Sequence, residues 1–381
     1  MGKKKPTTLP LPAPEFAARL LAWYDEATTE MPWRGQRDPY RIWLSEIMLQ
    51  QTRIAAAEGY YHRFLDRFPT VQDLASASLD EVLKLWEGLG YYARARNLHS
   101  LAKLVVSEHA GQFPATAESL QTLPGIGRYT AAAIASIAFG EAVAVLDGNV
   151  IRVLTRLIDL PEEISQPKVI EQLWTLASEL LSPQRPGDYN QALMDLGRTV
   201  CTPRHPACER CPVRDFCLAA ARGTQETRPV KKPKAPLPLV HAAAAVIRDE
   251  AGRILLVQRP EEGLLGGLWT LPGGRCEPNE SYAECLQRSL AKTLGVQVRV
   301  GNEMAAATQT LAHFRLRLRA FACEVIAGIP TGETRLAWAD SAELALYSLG
   351  KADREIVEKL EQWQPRLFEE ASLSNNDPSK K

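Results

Sequence analysis

No apolar run in this 381-residue chain approaches the length needed to cross a membrane, and the most apolar region, near residues 130–147, is broken by Gly140 and Glu141. The basic N-terminal stretch MGKKKPTTLP has no apolar core behind it, which argues against a secretory signal. Pro6 stands where a myristoylation motif needs Ser or Thr. Net charge is missing as well: 45 Lys and Arg balance 45 Asp and Glu, so the total says nothing for a nucleic-acid partner. No internal repeat is visible. The expectation is a cytoplasmic protein with no membrane association, in a reducing compartment where cysteines seldom pair as disulfides.

What is present divides the chain in two. From about Pro14 to Arg222, apolar residues recur at three- and four-residue spacing between short Gly/Pro breaks, which predicts helices. ETRPVKKPKAPLPL (226–239) follows and reads as an extended linker, because proline removes donors and resists helix. Charge is uneven there: residues 198–234 hold nine Lys/Arg against three Asp/Glu. Beyond the linker, HAAAAVIRDEAGRILLVQRP predicts two strands around a turn, and SYAECLQRSLAKTLG one amphipathic helix. FRLRLRAF (314–321) alternates with period two until Ala320, which predicts a half-buried strand with Arg315, Arg317 and Arg319 on its open face. That face is either solvated or a surface for a phosphate backbone.

Four of the seven cysteines, Cys201, Cys208, Cys211 and Cys217, are spaced C-x6-C-x2-C-x5-C. Four thiolates on one short loop suit tetrahedral zinc or a four-iron cluster, and spacing alone does not choose. Cys276, Cys285 and Cys323 are scattered and read as packing residues. In LQTLPGIGRYTA (120–131), Pro124, Gly125 and Gly127 end one helix before another starts near Arg128. Such a turn can simply join two helices, or it can aim amides at an anion.

Two acids stand out. Asp147, in LDGNVIRVLTRL, precedes an apolar helix where an N-cap belongs. Glu46 lies in WLSEIMLQQT, with Ile42, Trp43, Leu49 and Gln50 as its helical neighbours. Apolar surroundings disfavour the carboxylate and raise its pKa, which suits a general acid at neutral pH. A solvent-edge glutamate on an amphipathic helix is the plainer alternative.

The LPGIGRYTA turn and, after it, the cysteine spacing resemble the endonuclease III superfamily of helix–hairpin–helix DNA glycosylases. PWRGQRDPYRIWLSEIMLQQT, WEGLGYYARARNL and GDYNQALMDLG resemble segments of its MutY-type adenine glycosylases. The resemblance spans about residues 15–350. It implies a [4Fe–4S] cluster rather than zinc on the four cysteines, and a hairpin at Gly125 and Gly127 that grips phosphate. It also implies Glu46 as the acid that protonates adenine, and Asp147 as the group facing the cationic sugar, with Tyr129 and Asn149 beside them. Arg34 and Gln191 would form the adenine pocket. Gln51, Thr52, Leu89 and Tyr91 would lie at the lesion, Tyr91 as a wedge in the base stack. Where bifunctional relatives carry the Schiff-base lysine, this chain has Tyr129, which cannot form an imine. The implied activity is that of a monofunctional enzyme, a monomer acting on double-stranded DNA with adenine opposite 8-oxoguanine or guanine. The nearest alternative is an endonuclease III-like glycosylase and lyase for oxidised pyrimidines.

GGRCEPNESYAECLQRSLAKTLGV resembles a Nudix box that has kept Arg288 and Gly295, but Ser289, Lys292 and Thr293 replace its three metal-holding acids. A Nudix-like fold without pyrophosphate hydrolysis is implied. Its Phe-Ser-His loop for oxidised guanine corresponds to Leu311, Ala312 and His313, so only the histidine of that loop is present. The expected architecture is an all-α helix–hairpin–helix region at 1–225 with the cluster loop at 198–220, then the linker at 226–239. An α+β Nudix-like domain at 240–365 and a disordered tail at 366–381 complete it.

Overall fold

The computed structural model describes residues 12–26, 31–233 and 235–363; the expected tail lies outside these. The chain divides into two compact units, residues 1–76 with 97–234, and residues 77–96 with 235–381.

The first unit is helical. Its Pro39–Leu49 helix starts on Asp38, whose side chain accepts the Tyr40 amide at 2.9 Å, with proline in the first turn where no donor is needed. Ile42 through Met48 are all buried, so this helix is enclosed around nearly its whole circumference, Ser45 and Glu46 included. The Ala117–Gln121 helix is capped by Thr116, and the turn after it carries Gly125 at φ +82°. A side chain there would be strained and would press on Asn97 Cβ at 3.4 Å. Gly127 then caps the Arg128–Ala138 helix, whose first amides have no partner within the helix. Thr130–Ser136 are buried, and four alanines among the first nine helical residues let neighbouring helices approach. The Gly148–Leu157 helix buries Val150, Val153, Leu154 and Leu157 in a core shared with the Pro186–Thr199 helix.

Part of the expected linker is tied to this unit. Val230 O accepts from Ile164 N at 3.1 Å, and Arg156 Nε donates to Arg228 O at 3.2 Å.

The second unit is α+β. Its strands are β1 (Leu239–Ile247), β2 (Ile254–Gln258), β3 (Trp269–Thr270), β4 (Gly273–Arg275), β5 (Gln297–Thr310), β6 (Arg315–Ala327) and β7 (Leu336–Ala339). One sheet runs β4-β1-β6-β5, with β1 and β6 parallel, and a second runs β3-β2-β7. Alternate residues of β1 enter two cores. Ala242, Ala244 and Val246 face one that includes Ile356 and Leu360; Ala243, Ala245 and Ile247 face one that includes Leu286 and Leu290. Burial on both faces explains the alanine run, since small side chains leave room for a helix on either side. The predicted amphipathic helix is Tyr282–Leu294, opened by a Ser281–Glu284 capping box. Cys285 and Cys323 are buried in its core, and Cys276 packs against it.

Two features depart from the pattern of the sequence. β6 does not stop where the alternation stops at Ala320: it continues to Ala327, past Ala320 and Cys323, which are buried. Residues 77–96, expected within the helical region, group with the second unit. Asp80 accepts from Gln258 Nε2 at 2.7 Å and Arg335 Nη1 at 2.8 Å, and Glu87 accepts from Arg354 Nε at 2.9 Å. Arg96 donates to Gly266 O at 2.9 Å. These partners are polar groups some 170–270 positions away, with no signature in the local sequence.

Candidate active site

A cavity of about 740 Å³ opens in the first unit, lined by Glu46, Tyr129, Asp147, Asn149 and Arg34 among others. Four separate segments supply these five residues. Glu46 comes from the last turn of the Pro39–Leu49 helix and is 7 % exposed. Tyr129 comes from the first turn after the hairpin, and its hydroxyl donates to Glu46 Oε2 at 2.6 Å. Burial raises the Glu46 pKa; the Tyr129 hydrogen bond and the nearby Arg34 oppose the rise, and the Asp147 charge adds to it. The Tyr129 phenol is pushed well above its ordinary value by burial and by both carboxylates, so it remains a donor.

Asp147 is both an N-cap and a cavity residue. Its Oδ1 accepts from Asn149 N at 3.0 Å and Val150 N at 2.7 Å, which starts the Gly148–Leu157 helix. Its Oδ2 accepts from Asn149 Nδ2 at 2.9 Å. Burial raises the Asp147 pKa against the lowering effect of these three bonds and of Arg152. The two readings of Asp147 from sequence therefore describe one geometry.

Arg34 lines the cavity and donates to Gln191 Oε1 at 2.6 Å and Asp195 Oδ1 at 2.9 Å. Gln191, buried, is not among the lining residues; its amide is fixed between Arg34 and Gly187 O at 3.2 Å. Gln51 and Thr52 also line the cavity, just beyond the helix end, and Gln51 holds φ 58°, a costly conformation for a side chain of its size.

The remaining predicted residues lie elsewhere. Gly125 and Gly127 shape the hairpin of the first unit. Leu89 and Tyr91 belong to the second unit, where Leu89 is buried and Tyr91 is 48 % exposed at φ 49°. The Arg94 guanidinium sits 5.6 Å from the Tyr91 ring centroid, which steadies an exposed aromatic. His313 is exposed in the turn between β5 and β6, which Leu311 N closes on Phe314 O at 2.9 Å.

Two arginines escaped the sequence reading. Arg152 donates through Nη2 to Asn149 Oδ1 at 2.9 Å and Gly197 O at 2.6 Å, and through Nε to Cys201 O at 2.7 Å. Arg156 donates through Nη1 to Thr202 O at 2.7 Å and Cys201 Sγ at 3.2 Å. Asp147, Asn149, Arg152 and Arg156 thus form a continuous polar line from the cavity to the cysteine loop. The available signal was the spacing of Asn149, Arg152 and Arg156, three and four residues apart on one helix face.

The four cysteines, Cys201, Cys208, Cys211 and Cys217, are all partly buried and unpaired. Burial pushes the Cys211 thiol up to about 12, so thiolates here need a cationic partner. Four thiolates from one short loop are the soft, anionic donor set that zinc or an iron–sulfur cluster needs.

Comparison with known proteins agrees with this anatomy. Residues 44–179 match the HhH-GPD superfamily base excision DNA repair protein family, residues 201–217 the iron–sulfur binding domain of endonuclease III, and residues 243–359 the NUDIX domain. The adenine DNA glycosylase of Schizosaccharomyces pombe is 32% identical over 340 residues, covering 73% of this chain and 74% of that protein. The chain belongs to the adenine DNA glycosylase family. The human adenine DNA glycosylase is 43% identical over 319 residues, covering 70% of this chain. This family member spans only 58% of that human relative's length. A solved thermostable thymine-DNA glycosylase is 29% identical, with a TM-score of 0.51, covering 55% of this chain and 97% of its own. The cofactor of this adenine DNA glycosylase family member is a [4Fe–4S] cluster. No helix of the described residues is long and apolar enough to cross a membrane.

Proposed function

We propose that the chain is a monofunctional adenine DNA glycosylase, removing adenine paired with 8-oxoguanine or guanine. The observation that carries this reading is the pairing of a buried Glu46, its pKa raised by burial, with Asp147 in one cavity. The target adenine leaves the duplex and enters the cavity, beside Arg34, with Gln191 holding the guanidinium in place. Glu46 Oε2 is engaged by Tyr129, which leaves Oε1 to carry the proton to adenine N7. As the C1′–N9 bond breaks, its electron pair passes to the protonated base, which departs neutral. The Tyr129 hydroxyl strengthens its bond to the carboxylate that Glu46 becomes, an interaction greater after proton transfer than before it.

Positive charge then sits on the sugar. Asp147, oriented by Asn149 and its own helix start, faces that charge and stabilises it. Water adds at C1′ and gives its proton to the Glu46 carboxylate, restoring the acid. Tyr129 offers no amine, so the sugar forms no imine and the strand is not cut.

Cys201, Cys208, Cys211 and Cys217 hold the cluster, which fixes the loop that Arg152 and Arg156 tie to the catalytic helix. Gly125 and Gly127 present hairpin amides to phosphate. Gln51, Thr52, Leu89 and Tyr91 contact the lesion, and His313 inspects the oxidised guanine. A helical region at 1–225, a linker at 226–239 and a Nudix-like recognition domain at 240–365 divide the labour. The enzyme works as a monomer on cytoplasmic DNA.

Base release from duplexes carrying adenine opposite 8-oxoguanine, guanine or thymine tests the reading. Release is expected opposite the first two; none from any duplex would overturn it. Borohydride trapping on abasic DNA separates the alternative, because a robust lysine adduct would mark a lyase instead.

A further inference from the structure

Arg315, Arg317 and Arg319 occupy alternate positions of β6, so their side chains leave the same face of the sheet. β6 is an inner strand, and its register fixes their neighbours. Arg315 lies between Leu239 of β1 and Thr310 of β5, Arg317 between His241 and Thr308, and Arg319 between Ala243 and Ala306. Arg319 is satisfied: it is half-buried, pairs with Glu303 at 3.5 Å and lies 5.0 Å from the Tyr282 ring centroid. Arg315 and Arg317 are different. Both are exposed, and among the described residues neither has an ion pair or a side-chain hydrogen bond.

Two arginines at alternate positions of one strand, their backbones ~6.6 Å apart, bring like charges together on one face and repel each other. Elsewhere on the same sheet an exposed arginine is neutralised across strands, as Arg299 is by Glu324 at 2.6 Å. At the start of β6 the cross-strand positions hold Thr308 and Thr310 instead, exposed hydroxyls that add donors and no charge. Arg315, Arg317 and these two hydroxyls therefore present donors together, while the carboxylate of Glu303 on this face is taken by Arg319.

We propose that Arg315 and Arg317, with Thr308 and Thr310, form a clamp for the sugar–phosphate backbone of duplex DNA. The proposal rests on the reading that this chain acts on DNA, and assigns its second unit a sequence-independent grip. Guanidinium suits the role, because its planar fork meets phosphate oxygens in pairs. Mounting both forks on an inner strand holds them at fixed spacing, and threonine hydroxyls commonly complete phosphate contacts. The clamp reads no base; it sets orientation on the duplex.

The test is binding of the full chain to a short undamaged duplex across a salt series, so that no turnover intervenes. Each phosphate contact contributes about −0.9 to the slope of log K against log salt. R315A/R317A is expected to flatten that slope by about 2 and to weaken binding at least tenfold at low salt. R315K/R317K keeps most of the slope, and R299A leaves it unchanged. Should the alanine pair fold poorly by circular dichroism, R315Q/R317Q must show the same loss. An unchanged slope in the double variants, or an equal loss in R299A, overturns the clamp. A chain that releases no adenine but loses slope in R315A/R317A would instead overturn the glycosylase reading and leave the clamp standing.

Discussion

The hydroxyl of Tyr129 donates to Glu46 Oε2 at 2.6 Å, joining the residue proposed to stand where a lyase carries lysine to the acid of the proposed reaction. The bond favours the charged form of Glu46, so it works against burial, which favours the proton.

Tyr129→Phe removes that opposition. The Glu46 pKa rises further, and the alkaline limb of the pH–rate profile, where the acid loses its proton, moves to higher pH. The carboxylate left after proton transfer loses a charge-assisted bond worth about 1.5–3 kcal/mol, so the maximum rate falls by about 10- to 100-fold. Single-turnover base release against pH measures both effects. A slower variant with an unmoved limb would mean that Tyr129 does not act through Glu46.

Glu46→Gln is expected to abolish base release while stabilising the fold at neutral pH. The sign follows from the raised pKa. Below the ordinary carboxylate value, folded and unfolded chains both hold the proton and burial of Glu46 carries no charge penalty. Above that value the unfolded chain ionises Glu46 freely while the folded chain either keeps the proton or ionises a buried group, so that stability is lost as pH rises, fully so beyond the raised folded pKa. The glutamine variant escapes the loss. Its melting temperature should exceed the parent's near pH 7, with the difference shrinking under acid; a gap that grew under acid would contradict the assigned direction.

The same site shows what the sequence can and cannot carry. Glu46 and Asp147 were legible because a carboxylate in an apolar helix, or before one, is locally anomalous. The four cysteines were legible because ligand spacing is linear information. Arg152 was not: its partners Gly197 O and Cys201 O are backbone carbonyls 45 and 49 residues away, and a carbonyl has no residue identity to read. Gln191 was assigned to the pocket itself, whereas it stands against Arg34, a distinction that depends on side-chain depth. The first half of β6 is marked by its alternating arginines; its second half is not, because apolar residues, among them the exposed Ile326, occupy both faces there.

Arg152→Met tests the line from the cavity to the cluster loop. Methionine keeps the bulk of the stem but leaves Gly197 O, Cys201 O and Asn149 Oδ1 without this donor. Cys201 O keeps its bond from Arg156 Nη1 at 3.2 Å, but an acceptor left unpaired in a buried place costs roughly 1–3 kcal/mol, so the melting temperature should fall. Asn149 also loses the bond that fixes its amide, and its Nδ2 no longer holds Asp147 in one orientation. Base release should therefore slow by at least tenfold (about 1.4 kcal/mol) even in protein whose visible iron–sulfur absorbance per chain is normal. Full activity in such protein would reduce Arg152 to a scaffold residue.

Gly197→Ala addresses the same asparagine from its other side. A Cβ at position 197 would stand 2.7 Å from Asn149 Cβ and 3.1 Å from Asn149 O. Neither atom is the far end of a flexible side chain, so the Pro186–Thr199 and Gly148–Leu157 helices must separate. Overpacking of this kind costs about 1–3 kcal/mol, which thermal denaturation would register. The displacement falls on the first turn of the helix that Asp147 caps, and it moves the carboxylate relative to Glu46. Base release should drop more than the lost stability alone explains when both proteins are assayed well below their melting temperatures. Equal rates under those conditions would show that the cavity tolerates movement of the Asp147 helix, and that the close approach at Gly197 serves packing alone.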